Sequence, residues 1–387
     1  MTRATSQAPT GREDQKAPAA ELPPRRIPPR AVTAMLATAA RAPSVHNTQP
    51  WRFAVGPRAI DLYADPARKL RHDRAGREML ISCGAALFGL RLAIRELGYL
   101  PAVSLFPEPS RPMLLARVTL GPLAPATALE RRMLAALPHR HTHRGAFDPG
   151  AMPAGLLAGL QHDALAEGAT LALIDNPGKY AKLAALVAEA TKMQALNAAA
   201  REDVLRWSRA PGSRARDGVP AAAFAPGRAA APGRLAQRDF DLGRHLGLLS
   251  GPGPGEPPPA ATAVLVTPGD GRADWLRAGQ ALHRVLAHAA TVWVSASLHT
   301  QPLEFPAIRA IIRTRLALPG EVQLLLQFGL ARSSMSAPRR AVPDLLIQAE
   351  HTESMQAGDD RLKGGRGEHA ARVPHPRRGD LNARPGR

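Results

Sequence analysis

The sequence predicts an α+β protein built from two related halves in one chain, and three observations carry that expectation. Two long apolar-periodic helices each run into a strand-like stretch: "REMLISCGAALFGLRLAIRELGYLPAVSLF" from Arg77 and "DWLRAGQALHRVLAHAATVWVSASL" from Asp274. Gly84-Ala85-Ala86-Leu87 in the first aligns with Gly279-Gln280-Ala281-Leu282 in the second. Small residues at those places let one central helix pack closely on its twin. Strand patterns also precede both helices, "WRFAVGPRAIDLYA" around a Gly-Pro turn and "ATAVLVTPGD". Any two buried alanine-rich helices share part of this pattern; the recurring strands favour an internal repeat, with the halves joined near His139.

Taken in order, residues 1–30 hold six Lys/Arg, three Asp/Glu and many prolines, and no apolar centre of the kind a secretory signal carries. They are expected to be a disordered tail. "AVTAMLATAA" reads as a helix, and the first module spans 31–138. Its long helix, from about Arg77 to Leu97, ends at Gly98 and leads to a strand near Ala102 to Phe106. The second module spans 139–350. It opens with "LPHRHTHRGAFDPG" and continues through a helix from about Tyr180 to Trp207. An Arg-, Gly- and Pro-rich insert near 207–243 follows, with few core-forming residues. "GPGPGEPPP" at Gly251 follows no strand and opens no helix, so it is not a dinucleotide fingerprint. A buried strand from Val322 to Phe328 precedes a polar loop with Arg339 and Arg340, and residues 351–387 read as a second disordered tail.

The chain has 387 residues and a formal charge of +19. Each tail carries +3, which leaves +13 on the middle. The arginines there are scattered and aromatics are few, without a zinc-finger or RNA-binding aromatic motif. Anionic small molecules explain such a surface better than nucleic acid. The lone cysteine, Cys83, lies in an apolar helical stretch and is expected to be core, and it allows no disulfide framework. No apolar run approaches the roughly 20 residues of a membrane span. A cytoplasmic setting is expected.

Two segments carry more polar hardware than connections need. "RAPSVHNTQPWRF", from Arg41, packs a serine, a histidine, an asparagine and a glutamine between a helix and a strand. Arg140, His141, Thr142, His143 and Arg144 stand together before "AFDP". Histidines at alternate positions suggest zinc, but arginines between them repel a cation and no cysteine or paired carboxylate completes a set. An oxyanion suits this segment better, because Arg offers forked donors matched to phosphate. Arg339 and Arg340 could join it. No metal is expected.

With these residues in view, the chain resembles the flavin-dependent nitroreductases, in the Acg-like branch that carries two nitroreductase-type modules in one polypeptide. The resemblance runs from about Ala31 to Leu346. "PSVHNTQPW" resembles the family's P-S-x-x-N-x-Q-P-W loop, and "RHTHRGAFD" its phosphate motif with one extra residue. "APRR" resembles the basic end that closes over the phosphate. "DGVPA" at Asp217, "TPGD" at Thr267, "WLRAGQAL" at Trp275 and "QPLE" at Gln301 complete the pattern. Many relatives have Arg-Ile-Gly where this chain has Gln327-Phe328-Gly329.

The resemblance implies a nitroreductase-like fold whose fused modules form an intrachain pseudo-dimer. Each motif occurs once, so one composite FMN site is implied, in a monomeric chain. Pro43, Ser44, Asn47 and Gln49 would face the flavin ring and ribityl chain. Arg140, His141, Thr142, Arg144, Arg339 and Arg340 would surround the phosphate. Ser297, Leu298 and His299 would approach the ring's N5 edge. The implied activity passes reducing equivalents from NAD(P)H through FMN to a nitroaromatic, quinone or similar small acceptor. The alternative is an FMN-sequestering protein, with the insert as a lid that limits access by a nicotinamide.

Overall fold

The computed structural model describes residues 25–145, 147–224, 235–242, 259–331 and 337–347. Most of the expected N-terminal tail, the whole C-terminal tail and nearly all of the Gly251 stretch lie outside the described residues.

The first half begins with helix α1 (Pro29–Ala39), opened by a proline at its first position, where no backbone donor is needed. Strands β1 (Trp51–Val55) and β2 (Ala59–Ala64) form a hairpin, closed by Gly56 N donating to Ala59 O at 2.9 Å. Helix α2 (Arg77–Glu96), strands β3 (Tyr99–Leu105) and β4 (Leu114–Leu123), and helix α3 (Ala128–Ala136) complete it. Thr127 and Glu130 form a capping box at the start of α3. β3 starts earlier than the sequence suggests, because Gly98 turns the chain at φ 83° directly into Tyr99.

The second half repeats the plan. Helix α4 (Leu156–Ala166) leads to β5 (Thr170–Leu173). After a long connection come β8 (Ala261–Thr267), α7 (Arg272–Ala290), β9 (Val294–Leu298), α8 (Pro306–Leu316), β10 (Glu321–Leu330) and the short α9 (Val342–Leu345). The connection holds α5 (Pro177–Leu196), α6 (Ala198–Trp207) and the two-residue strands β6 (Ser208–Arg209) and β7 (Val219–Pro220). The sheets are ordered β1-β2-β4-β3 and β5-β8-β10-β9, antiparallel throughout. Strand for strand these orders match. The insert of the second half therefore sits where the first half has only its Gly56-Pro57 turn.

Two expectations about that insert change. The single helix from Tyr180 to Trp207 is two helices, broken at Asn197 (φ −84°, ψ 109°), whose side chain accepts the Ala200 N–H and starts α6. The segment after Trp207 is also less coreless than its composition suggests. Val219, Ala221, Ala223, Phe224 and Phe240 pack with Val204 of α6 into a small cluster of their own, Phe224 and Phe240 stacking at 6.2 Å.

The halves meet along α2 and α7, and the contact is reciprocal. A Cβ placed on Gly84 would lie 2.2 Å from Leu276 O, and one on Gly279 only 1.9 Å from Ile81 O. Leu276 precedes Gly279 by as many residues as Ile81 precedes Gly84, so the pairing has two-fold character. Cys83 is buried in this region, its thiol donating to Pro50 O at 3.3 Å and its pKa pushed up by desolvation. The segment joining the halves and the last described segment pair with the sheets of the second and the first half respectively. Thr142 bridges Ala296 of β9, while Leu346 bridges Phe53 of β1, with Ile347 N donating to Phe53 O at 2.9 Å.

A candidate anion and cofactor cleft between the halves

The crossing segments place the two polar motifs on one cleft of about 780 Å³, counted out to its solvent mouth. Pro43, Ser44, Val45 and His46 line it from the loop after α1, Glu78 and Ser82 from α2, Thr142 and Arg144 from the joining segment, and Leu298 and Thr300 from the end of β9.

The loop is held in an unusual shape. His46, Asn47 and Gln49 all have positive φ, at 46°, 54° and 49°. Such backbone costs energy for non-glycine residues and persists only where surroundings over-determine it. Those surroundings are visible. Ser44 Oγ accepts from Gln49 N at 3.0 Å, and Ser82 Oγ accepts from Val45 N at 3.3 Å. Asn47 Nδ2 donates to Gly218 O (2.9 Å) and Pro338 O (3.0 Å), and Gln49 Nε2 donates to Arg216 O (2.9 Å). Arg340 N donates to Gln49 Oε1 at 2.9 Å, and its guanidinium to Gln49 O at 3.2 Å. In this structure Asn47, Gln49 and Arg340 therefore bind protein backbone and each other, away from the cleft lining.

The joining segment runs beside β9, with His143 N donating to Ala296 O and Ser297 Oγ to His143 O, both at 2.9 Å. Extended chain alternates its side chains. Thr142 and Arg144 face the cleft, while His143 packs on Phe147 with ring centroids 4.7 Å apart. His141 Nδ1 approaches His139 O at 3.0 Å, outside the cleft. Ser297 and His299 are fully buried, and His299 is spanned by Ala236 O (3.1 Å) and Gln327 Oε1 (3.0 Å). Of the β9 trio only Leu298 reaches the cleft wall.

Of three neighbouring arginines, Arg144 lines the cleft, while Arg140 and Arg339 stand outside its lining but near enough for the charges of Arg140 and Arg144 to act on Arg339. Among the described residues no carboxylate is paired with Arg140, Arg144 or Arg339. Arg140 is buried, donates through Nη2 to Arg41 O at 3.1 Å, and leaves Nε and Nη1 without partners. Arg339 donates to Asn47 Oδ1 (3.1 Å) and to the Arg41 and Ala42 carbonyls, and its Nε is also unpartnered. Arg144 lies over the Phe240 ring at 5.5 Å. Desolvation, then neighbouring arginines, lowers Arg140 and Arg144 to about 10 and Arg339 to about 9. Buried cations without counter-charges are costly unless an anion completes them.

No family model matches the chain. Individual proteins do. A Mycobacterium tuberculosis H37Rv protein named "Putative NAD(P)H nitroreductase Rv3131" is 33% identical over 308 residues, 77% of this chain and 84% of that protein. The chain belongs to the nitroreductase family. It falls in the Acg-like branch: a protein of the same organism named "Putative NAD(P)H nitroreductase acg" is 28% identical over 307 residues, 79% of this chain and 90% of that protein. Among solved structures, a Bacteroides fragilis nitroreductase with bound FMN aligns over 56% of this chain and 95% of its own, at 13% identity and TM-score 0.33. The NADPH:FMN oxidoreductase of Vibrio harveyi complexed with NAD+ covers 62% and 93%, at 9% identity and TM-score 0.34.

This nitroreductase carries site elements that its loop and phosphate motifs do not announce. Asp217 bridges Arg68 and Arg209, the latter at 2.7 Å, and Gly218 N donates to Asn47 O at 3.2 Å. "DGVPA" thus fastens the insert onto the strained loop. From further along the insert, Gln237, Arg238 and Phe240 form one wall of the cleft. His46, 5.1 Å from the Phe240 ring, has both ring nitrogens unpartnered, and burial, then Arg238, keeps its pKa well below the ordinary value.

Acid should weaken the nitroreductase fold. Desolvation lowers His283 to about 3 and His299 to about 4, so both are neutral when folded and protonate once unfolded below about pH 6.5. His46 acts in the same direction. Asp73, raised to about 6 by desolvation and then Glu78, takes up one proton in the folded state and opposes them. Between pH 6 and 5 the unfolded chain thus binds about two more protons. Stability should fall by roughly 2.7 kcal/mol per pH unit there. Urea unfolding at pH 7, 6 and 5 tests it, and a flat profile would refute neutral burial of these histidines.

Proposed function

We propose that the cleft holds one FMN per chain and that the protein is an FMN-dependent oxidoreductase, using NAD(P)H to reduce a nitroaromatic, quinone or similar small planar acceptor. The observation that carries this reading is the set of arginines 140, 144 and 339, which have no carboxylate partner among the described residues and of which Arg140 and Arg339 hold orphaned buried donors. A phosphate supplies the missing charge and acceptor oxygens, and forked guanidinium donors match it.

In this reading Arg140, Arg144 and Arg339 hold the phosphate, assisted by the Thr142 hydroxyl. Pro43, Ser44 and Leu298 lie along the flavin, with Ile81, Leu282 and Phe240 keeping water from it. Asn47, Gln49 and Arg340 position the loop that presents Ser44. Bound FMN supplies the two-electron redox chemistry, and the protein's part is to bind, orient and enclose.

A second reading, FMN sequestration with little turnover, draws on the insert. Its Gln237, Arg238 and Phe240 occupy one wall of the cleft, and Asp217 and Gly218 pin it to the loop. A nicotinamide has to share that space. Purified protein is expected to be yellow, with one FMN per chain, and anaerobic stopped-flow mixing with NADH or NADPH decides between the readings. Bleaching at a catalytically useful rate supports the oxidoreductase. Retained flavin with no bleaching supports sequestration, and a protein that takes up no FMN refutes both.

A further inference from the structure

Beside the cleft lies a second cluster that phosphate and flavin binding do not use. His72, on the loop before α2, projects its Nε2 between two carboxylates, 3.4 Å from Glu78 Oε2 and 3.3 Å from Glu304 Oε1. Nε2 makes no well-aligned hydrogen bond to either oxygen. Glu78 comes from α2 and Glu304 from the short helical turn after β9. Both side chains are buried, and the two Glu78 oxygens have no hydrogen-bond partner although Glu78 reaches the cleft wall. The other face of the imidazole is fixed. Asp203 Oδ2 sits 2.8 Å from His72 Nδ1, and the same carboxylate accepts the Arg71 and His72 backbone N–H groups at 3.0 and 3.1 Å.

We propose that His72, Glu78 and Glu304 bind one zinc-class divalent cation, with Asp203 as the carboxylate that sets the imidazole tautomer. Two features carry this assignment. The ligand atoms lie within 4.8 Å of one another, and the two separations from His72 Nε2 match the roughly 3.3–3.4 Å edge of a tetrahedron whose metal–ligand bonds are about 2.0–2.1 Å. The histidine's other nitrogen rests on a carboxylate, the partner that metal-bound imidazoles use.

Among the described residues, Arg238 pairs with Glu304 Oε1, and Arg77 and Asp73 act on Glu78. With a neutral imidazole the carboxylates outnumber the arginines, a balance that favours a bound cation. Its remaining coordination position is left for water or a ligand from the cleft, on which Glu78 opens. Zinc binding at this cluster does not depend on flavin. It also differs from the sequence expectation, because His72, Glu78 and Glu304 are far apart in the chain and form no spaced motif.

The test uses the full-length chain, dialysed first against a chelator and then against chelator-free buffer. Titration with zinc chloride alone, read by calorimetry and metal analysis, should show one zinc ion per chain. Glu78→Gln, which keeps the cleft wall filled, should weaken binding at least tenfold, and Asp203→Asn by about 10- to 100-fold. His141→Ala should leave it unchanged, which separates this site from the histidines of the joining segment. Cobalt(II) added to the unmutated chain should give the intense visible bands of a tetrahedral site, a readout that needs no variant to fold. Absence of zinc uptake, absence of those bands, or equal zinc affinity in Glu78→Gln would overturn the assignment and identify the cluster as an imidazolium held among carboxylates.

Discussion

Replacing Arg140 by methionine is expected to weaken FMN binding about tenfold or more while leaving the flavin-free protein at least as stable. The two halves of that expectation come from one observation. Arg140 is buried, donates a hydrogen bond to Arg41 O, and among the described residues has no carboxylate partner. In the absence of an anion its charge is a desolvation cost with little return, so an apolar side chain of similar length relieves it. With a phosphate bound, the same guanidinium makes charge-assisted hydrogen bonds worth roughly 1.5–3 kcal/mol. Flavin titration of the apoprotein and urea unfolding of the same sample measure both quantities. Loss of stability together with loss of flavin would mean that Arg140 is a structural residue and that the anion lies elsewhere. Arg339→Met should also lose flavin but is less clean, because Arg339 additionally braces Asn47.

The second large effect belongs to the helix pair. Gly279→Ala should destabilise the protein by about 2 kcal/mol or more. Alanine ordinarily gains about 1 kcal/mol over glycine inside a helix, so the crowding must outweigh that gain. It does so because the new Cβ would meet Ile81 O at 1.9 Å and Ala85 N at 2.7 Å. These are backbone atoms that no rotamer change can move, and overpacking of this kind costs 1–3 kcal/mol and sometimes more. Gly84→Ala should behave alike, against Leu276 O. Gly56→Ala, whose nearest contact is an ordinary 3.5 Å, serves as the control. A drop in the urea midpoint for Gly279→Ala no larger than for Gly56→Ala would show that the helices part easily.

How far the sequence discloses this arrangement depends on what each residue's partner is. The glycines of α2 and α7 were legible, because small residues in register have little other use in two long apolar helices. The Thr142 and Arg144 spacing was legible too, since alternation puts both on one side of an extended chain. Asn47 and Gln49 show the limit. Their amides advertise hydrogen bonding at a site, yet chemistry alone does not tell a cofactor from the backbone of Gly218 or Arg216, which lie 171 and 167 residues away. The cleft contributions of Glu78, Arg238 and Phe240 were hidden for the same reason. Each looks ordinary in its own segment, a helix start or an arginine-rich insert, and gains its role from a fold that brings distant segments together. Composition misled in one place: the insert's scattered apolar residues looked too few to pack, but Phe224 and Phe240 find each other and close a local cluster.

The matching strand orders and reciprocal glycines describe two copies of one plan, but the copies are written separately in a single chain. In a symmetric dimer of identical chains every substitution is made twice and both sides of the pair must tolerate it. Here the place that Ser82 holds relative to Gly84 is held by Arg277 relative to Gly279, and Arg277 packs against the tight turn at Gly168. One side of the helix pair could thus be sealed for stability while the other kept a strained loop and uncompensated cations. Covalent linkage adds a second freedom. The effective concentration of each half at the other is set by the joining segment, so the cleft's assembly does not fall with dilution, and the copy number of the protein in a cell can drop without dissolving the site.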